Sequence, residues 1–277
     1  PVSAVAETSG SVVAVTQPPP QSGPLHQHHE AAGAKFGDFA GWSMPLEFDG
    51  GGVLAEHAAV RHHVGLFDVS HMGTFVVSGK GARDGLNEVF TNDLNRIDPG
   101  QAQYSMLCND SGGVIDDLFV YLASDERVIV IPNAANASVV IATVERVLES
   151  RDVRLDNQSA TTAIIAVQGP DSADVLAATG LPTQLEYLDF LELQTDHGQV
   201  LVARTGYTGE RGFELLVEAE HAPYWWNALR REAELAGGRI CGLGARDTLR
   251  TEMGYALHGH ELGLSVNPIE AGLSWAI

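Results

Sequence analysis

The segment Tyr104-Ser-Met-Leu-Cys-Asn-Asp-Ser-Gly-Gly-Val-Ile-Asp-Asp117 decides how the middle of this chain folds. Two apolar arms flank the turn-forming run Asn-Asp-Ser-Gly-Gly, which predicts an antiparallel hairpin. Its strands are predicted at 103–108 and 114–122. A second turn at 124–126 leads into another apolar run, 128–132, so the sequence predicts a three-stranded antiparallel meander.

Helical and extended patterns are interleaved on both sides of this meander. Because the strands occur both in hairpins and between helices, the pattern predicts an α+β fold. The predicted helices are 29–34, 56–63, 82–90, a segment from Asn133 to about Ser150, and 223–235; the further predicted strands are 74–78, 163–167, 199–203 and 213–217.

Four positions carry specific local predictions. The segment 41–48, with Pro45 inside it, is predicted to be a loop. Asn133 is predicted to be the N-cap of the helix that follows it, and Pro170 is predicted to lie in a first helical turn. The apolar segment 271–277 is predicted to begin a strand, and we expect further sequence beyond it.

The composition is that of a globular protein, since 44% of the 277 residues are hydrophobic and 19% are charged. With 16 Lys and Arg against 36 Asp and Glu, the formal net charge is −20, which repels phosphate backbones and anionic lipid headgroups. We therefore expect neither nucleic acid nor a membrane as a partner. A small acidic ligand would need a locally placed cation, and Arg246 beside a glycine-rich segment is a candidate.

Cysteine usage and the N-terminal segment point to a reducing compartment. Only Cys108 and Cys241 occur, and neither belongs to a Cys-x-x-Cys pair, so neither a disulfide framework nor a thiolate metal site is supported. Residues 1–24 contain no Lys or Arg and include a proline-rich run, which predicts a flexible tail and not a targeting sequence. We therefore expect a cytoplasmic protein.

The two acids that end the first hairpin segment are candidate functional groups. Asp116 and Asp117 are neighbours on a strand, so their side chains point to opposite faces. A carboxylate partly withdrawn from water is a reasonable proton acceptor beside a reacting nitrogen. The alternative is a hairpin whose acids are simply solvated.

The histidines and glycines do not support a metal or dinucleotide site. No histidine pair has the spacing of His-Glu-x-x-His on a confident helix, so scattered surface histidines are the better interpretation. The histidines considered are His26, His28, His29, His62, His63, His258 and His260. Gly242-Leu-Gly244 lacks the continuation of a dinucleotide-binding loop.

Six sequence blocks, in order, resemble the aminomethyltransferase (T protein) family of the glycine cleavage system. The similarity extends from Leu25 to Ile277. The blocks are Gly33-Ala-Lys with Phe39-Ala-Gly-Trp and Met44-Pro, Phe67-Asp-Val-Ser-His-Met-Gly73, Gly112 to Asp117, Ala166-Val-Gln-Gly-Pro170, Thr205-Gly-Tyr-Thr-Gly-Glu210, and Gly242-Leu-Gly-Ala-Arg-Asp-Thr-Leu-Arg250.

The resemblance implies a reaction and a role for the acid pair. The one-carbon unit of an aminomethyl group on the lipoyl sulfur of H protein would pass to tetrahydrofolate, with 5,10-methylenetetrahydrofolate and ammonia as products. The family acid that corresponds to Asp116 lies by the reactive nitrogens of tetrahydrofolate. Asn133 would offer its amide to the pterin, although N-capping explains this residue equally well.

The resemblance also implies the residues that bind the pterin. Glu214 would hold the amide-like edge of the ring through two hydrogen bonds, and Glu210 ranks second for this role. Arg246 would supply positive charge, its alternative being a surface ion pair with Asp247 or a capping role. Tyr207 and Tyr104 would border the flat ring system.

The family fold is a three-domain cloverleaf with folate in a central hole. By resemblance, 25–67 and 158–262 form a discontinuous first domain, and 68–157 forms the second. Residues 263–277 would begin a third domain, a β-barrel, and a further ligand-binding Arg of the family is expected beyond them.

Two other functions fit the same resemblance. A folate-dependent demethylase of this superfamily would act on a small methylated donor without H protein. A folate-binding accessory protein is the non-enzymatic alternative, but those relatives have a Cys-containing motif where this chain has Thr205 to Glu210.

Overall fold

The computed structural model describes residues 18–277, which form seven α-helices and thirteen strands within that range. The helices are α1 (His26–Ala31), α2 (Gly52–His62), α3 (Ala82–Val89), α4 (Ala137–Leu148), α5 (Ser172–Ala178), α6 (Ala222–Leu235) and α7 (Leu243–Glu252). The strands are β1 (Ala34–Phe39), β2 (Trp42–Phe48), β3 (Gly65–Asp68), β4 (Phe75–Ser78), β5 (Gln101–Cys108), β6 (Val114–Ser124), β7 (Arg127–Pro132), β8 (Arg154–Asn157), β9 (Thr162–Gln168), β10 (Phe190–Thr195), β11 (Gly198–Ala203), β12 (Gly212–Glu218) and β13 (Arg239–Cys241).

The strands form two main sheets and one hairpin. The six-stranded sheet has the order β10-β11-β12-β9-β3-β13, in which only the β13–β3 pair is parallel. The five-stranded sheet has the order β5-β6-β7-β4-β8 and is antiparallel throughout. Strands β1 and β2 pair only as a hairpin. The α+β fold predicted from the sequence is therefore confirmed.

Strand β9 shows why the two sheets pack together. Its alternate residues enter different clusters: Ile165 joins the cluster that contains Trp226 of α6, and Ile164 joins the cluster that contains Tyr121 of β6. A strand that buries both faces is expected to be a continuous apolar run, as residues 163–167 are within this strand. The second cluster thereby joins the six-stranded sheet to the five-stranded sheet.

Sheet membership supports the predicted two-domain division, which stays a prediction. All strands of the five-stranded sheet lie between Phe75 and Asn157. The six-stranded sheet combines β3, which precedes that segment, with five strands that follow it. Within the described residues, no helix is long and apolar enough to cross a membrane.

The predicted order of the meander is confirmed, and the structure adds its register. Strands β5, β6 and β7 pair consecutively, with Leu107 opposite Asp116 and Met106 opposite Asp117. The observed turns leave β5 and β6 slightly longer than predicted, since pairing continues as far as Gln101 and Ser124.

The predicted loop at 41–48 is wrong, because Trp42–Phe48 forms strand β2. Pro45 lies opposite Phe36, next to a register shift after Lys35. A two-stranded hairpin tolerates proline because each strand needs hydrogen bonds on one side only.

The predicted flexible tail is wrong at Gln21, since this residue pairs with Gly41 and Ser43 through two backbone hydrogen bonds of 2.8 Å. The rest of the predicted tail, 1–17, lies outside the described residues.

Three predictions at helix and chain ends are also wrong. Helix α4 begins at Ala137, and its N-cap position is Asn136 and not Asn133. Helix α5 begins at Ser172, after Pro170. The segment 271–277 contains a turn and a short 3-10 helix, Ser274–Ala276. Its Trp275 ring packs on Tyr104 at a centroid distance of 5.3 Å, so side-chain packing replaces strand pairing there.

Candidate functional site

A largely apolar cavity of about 420 Å³ lies where the meander, the six-stranded sheet and α7 meet. Loops and strand ends from distant parts of the sequence supply its polar groups. These groups include His71, Tyr104, Asp117, Asn133, Asn136, Tyr207, Glu214, Arg246, His258 and His260. Five of the six predicted site residues are therefore brought together, and Asp116 is the exception.

The two adjacent acids have different positions, as strand alternation predicts. Asp117 lines the cavity, and its Oδ2 accepts a hydrogen bond of 3.0 Å from the Tyr104 hydroxyl. Asp116 lies behind the cavity wall and has no exposed surface. Its carboxylate accepts hydrogen bonds from the Asn133 backbone N–H at 2.9 Å and from the Asn136 amide at 2.7 Å. The cavity thus presents Asp117, and not the predicted Asp116, to a ligand.

Asn133 connects the two acids and is not a helix cap. Its side-chain amide donates to Asp116 Oδ1 at 2.9 Å and to Asp117 Oδ1 at 3.0 Å. The same amide lies 2.8 Å from the Asp117 carbonyl oxygen. With its N–H groups already engaged, Asn133 has only its side-chain carbonyl oxygen left for a ligand.

Burial shapes the proton affinity of both acids. Burial raises the pKa of Asp116 to about 6, although the hydrogen bonds from Asn136 and Asn133 act in the opposite direction. Burial also raises the pKa of Asp117, against the hydrogen bond from Tyr104 and the charge of His258. Both carboxyl groups therefore bind a proton more readily than an exposed Asp does.

Glu214 of β12 lines the cavity with one oxygen already engaged. The Thr205 hydroxyl donates to Glu214 Oε2 at 2.5 Å, and the Tyr121 hydroxyl lies 3.5 Å from the Thr205 hydroxyl. These contacts orient the carboxylate and leave Oε1 available. Thr205 is 3% exposed, and nothing in its local sequence singled it out.

Arg246 of α7 is a partly buried cation on the cavity wall. Its guanidinium carbon lies 4.8 Å from the centre of the Tyr207 ring, within the range of a cation–π interaction. Its Nη1 is enclosed without a hydrogen-bond partner among the described residues. Burial lowers the pKa of Arg246, whereas Glu214 and Tyr207 act to raise it. The expected alternative pairing with Asp247 does not occur, because Asp247 binds Arg250 at 2.8 Å.

The two predicted tyrosines border the cavity and are held by their own contacts. The Tyr207 hydroxyl donates to the backbone oxygen of Ala256, and the ring lies 5.8 Å from that of Tyr255. Tyr104 packs its ring edge against Phe119 at 5.8 Å. Both rings therefore have fixed orientations before any ligand enters.

A buried glutamine holds the loop between β11 and β12, which carries Tyr207. Gln168 donates to the backbone oxygens of Thr205 at 3.1 Å and Phe213 at 3.3 Å. The Thr208 hydroxyl donates to Gln168 Oε1 at 2.8 Å. Glu210, the second-ranked candidate for pterin binding, is in the same loop but pairs with Arg61 at 3.0 Å and does not line the cavity.

The positions of the histidines differ in part from those expected from the sequence, and one group of side chains has metal-ligand spacing. His258 and His260 line the cavity. The expected surface position is wrong for His29, which is 1% exposed. Among residues 18–277, one group of three side chains has metal-ligand spacing: Glu218, Glu220 and His221. This group is largely exposed, and its members do not line the cavity.

Comparison with known proteins identifies the family. Residues 25–277 match the family model described as the GCVT N-terminal domain. The aminomethyltransferases of Mycobacterium avium and Frankia alni are each 49% identical to this chain, covering 92% of it and 69% of their own length. The crystal structure of glycine cleavage system aminomethyltransferase T from Bartonella henselae superposes with a TM-score of 0.86 and 38% identity, again over 92% of this chain and 69% of that one. The chain therefore belongs to the aminomethyltransferase family of the glycine cleavage system.

Proposed function

We propose that this chain binds tetrahydrofolate in the cavity and transfers to it the one-carbon unit of aminomethyl-lipoyl H protein. The products are 5,10-methylenetetrahydrofolate and ammonia. The observation that carries the proposal is the convergence of the acids Asp117 and Glu214 and the partly buried cation Arg246 on a single apolar cavity. A flat heterocycle with polar edges suits such a cavity.

Glu214 is the proposed anchor of the pterin ring. A carboxylate accepts two parallel hydrogen bonds from adjacent N–H donors, and Thr205 already orients this one. The ring of Tyr207, with Arg246 stacked at 4.8 Å, offers an aromatic and positively charged surface beside it. The anchor sets the position of the reactive nitrogens, which lowers the entropic part of the barrier.

Asp117 is the proposed acid at the transferred carbon. Its pKa is raised by burial, so the carboxylate accepts a proton from a reacting nitrogen more readily than an exposed Asp does. Asp116 is proposed to act through Asn133, whose amide contacts both carboxylates. Asp116 is thus a positioning residue in this proposal, which revises the role that the resemblance implies for it.

H protein and a reducing cytoplasm complete the proposal. The lipoyl arm of H protein delivers an apolar chain with a sulfur-bound aminomethyl group, and an apolar cavity suits such a chain. Cys108 and Cys241 are both free thiols, which fits a reducing compartment.

The test separates binding from transfer in two variants. Calorimetric titration with tetrahydrofolate should show binding to the wild type and at least a roughly tenfold loss for Glu214→Gln, because one acceptor for the ring donors is removed. Asp117→Asn should bind tetrahydrofolate within about threefold of the wild type and lose about a hundredfold or more of the transfer rate from aminomethyl-loaded H protein.

Glu145→Gln, an exposed change on α4, is the matched control and should leave both quantities unchanged. A wild type that does not bind tetrahydrofolate would contradict the proposal. Consumption of a free methylated amine without H protein would instead favour the demethylase.

A further inference from the structure

His71 lies on a tightly held segment directly after β3, and its imidazole lines the cavity. The backbone N–H of Val69 donates to Ile164 at 3.0 Å, and that of Met72 donates to Val69 at 3.1 Å. The ring stands edge-on to Phe39 at a centroid distance of 5.3 Å. His71 is 5% exposed, so its position is set by the fold before any ligand binds.

The His71 ring has no hydrogen-bond partner among the described residues, and its Nδ1 is enclosed. Other histidines near the cavity or the core differ in this respect. His29 Nε2 lies 2.8 Å from an Asp68 oxygen, and His258 Nε2 lies 3.2 Å from the Val114 carbonyl oxygen. A buried polar ring without a hydrogen-bond partner is energetically unfavourable. One explanation is that a ligand supplies the missing partner.

The surroundings of His71 keep the imidazole neutral. Burial lowers its pKa to about 4; the positive charge of Arg246 acts in the same direction and Asp68 acts against it. A neutral imidazole carries one N–H donor and one lone pair that can accept a proton. The lowered pKa makes this ring a weak base but makes its protonated form a strong acid, so a proton taken up by His71 is passed on readily to a more basic amine.

The proposed reaction moves two protons. Two nitrogen–hydrogen bonds of tetrahydrofolate are replaced by two nitrogen–carbon bonds, while one carbon–sulfur and one carbon–nitrogen bond break. The sulfur and the nitrogen each leave with the electron pair of the broken bond and each take up one proton, giving a thiol and ammonia. Asp117 carries one proton at a time, so a second carrier in the cavity allows the second proton to move while Asp117 still holds the first.

We propose that His71 is this second carrier: its free nitrogen accepts the proton of the folate nitrogen that bonds the carbon last, and delivers it to the departing amine. The inference rests on the proposed transferase function. It assigns Asp117 to the proton that ends on sulfur and His71 to the proton that ends on ammonia.

The transfer rate of two variants tests the inference. His71→Gln keeps a polar side chain that neither accepts nor releases a proton at neutral pH. His62→Gln, on α2, is the exposed control. Single-turnover transfer from aminomethyl-loaded H protein should fall about a hundredfold or more in His71→Gln. The affinity for tetrahydrofolate and the Tm should stay near those of the wild type. His71→Gly with added imidazole should recover part of the rate, which guards against misfolding of the glutamine variant.

A second readout is independent of activity. In protein labelled with ¹³C at the histidine rings, the His71 signal is the one that is missing from His71→Gln. Its chemical shift should be that of a neutral imidazole from about pH 6 to 8, given the lowered pKa of His71. Addition of tetrahydrofolate should change this chemical shift. An active wild type whose His71→Gln variant loses less than tenfold overturns the inference alone. A wild type that binds no tetrahydrofolate overturns the transferase proposal and this inference together.

Discussion

At the residue scale, one strand gives two neighbouring acids different environments. Asp117 meets the cavity and the Tyr104 hydroxyl, whereas Asp116 is enclosed by the amides of Asn133 and Asn136. The buried carboxylate of Asp116 accepts three hydrogen bonds, yet burial still raises its pKa to about 6. Desolvation therefore outweighs hydrogen bonding at this site.

The raised pKa of Asp116 predicts a specific dependence of stability on pH. A carboxyl whose pKa is higher in the folded than in the unfolded chain stabilises the fold most when protonated, so this contribution is present below about pH 4 and is lost as the pH rises through about 6. The free energy of unfolding of the wild type, relative to Asp116→Asn, should fall by about 2.5 kcal/mol between about pH 4 and 7.5. Urea unfolding at each pH measures this difference.

Asp110→Asn is the control for that series, since Asp110 lies exposed in the turn between β5 and β6. Its difference from the wild type should stay flat across the same pH range. A flat difference for Asp116→Asn as well would show that the buried carboxyl titrates normally, and the pH argument would fail.

At the element scale, the loop between β11 and β12 depends on two glycines that touch one side chain. A Cβ at Gly206 would lie 2.0 Å from Gln168 Oε1, and a Cβ at Gly212 would lie 2.2 Å from Gln168 Nε2. Glycine is needed here for close approach, because the buried amide of Gln168 binds the loop backbone at Thr205. The loop in turn sets the position of Tyr207.

Gly206→Ala should therefore destabilise the protein by about 1–3 kcal/mol, as overpacking of a filled interior does. It should also weaken tetrahydrofolate binding, because the Tyr207 ring moves with the loop. Gly263→Ala is the matched control: nothing lies within 4 Å of its added Cβ. Chemical unfolding and calorimetry compare the two variants, and equal behaviour would contradict the proposed steric role of Gly206.

At the scale of the whole molecule, acidic charge exceeds basic charge by a wide margin. The formal net charge of −20 is distributed over 277 residues, and Arg246 is a partly buried cation on the cavity wall. Mutual repulsion of like charges opposes the compact state, and dissolved salt screens it. The cavity cation is thus a local exception within an acidic protein.

Salt should consequently stabilise this protein. Raising NaCl from about 10 mM to 150 mM shortens the screening length from roughly 30 Å to 8 Å, so the Tm should rise by a few degrees. Calorimetric scans with NaCl and with choline chloride separate screening from a sodium site, because screening raises the Tm equally in both. A Tm that falls as salt is added would contradict the repulsion argument.

The candidate site was only partly predictable from sequence. Glu214, Arg246, Tyr207, Tyr104 and Asn133 are the predicted binding residues, and all five line one cavity. The resemblance favours Asp116 over Asp117 as the acid at the site, and a strand pattern alone does not tell which face is turned to a cavity. His71 and Thr205 lie in two of the blocks that carry the resemblance, but only their contacts in the structure make them candidates.

Local sequence by itself determined the meander of β5, β6 and β7, because turn chemistry and period-two alternation act between near neighbours in the chain. It also determined which strands are apolar on both faces. Tertiary structure alone decided that Asp117 and not Asp116 faces the cavity, that Pro45 lies in a strand, and that His71 lines the same cavity as Arg246. These outcomes depend on packing between segments far apart in the chain, and no local sequence pattern specifies that packing.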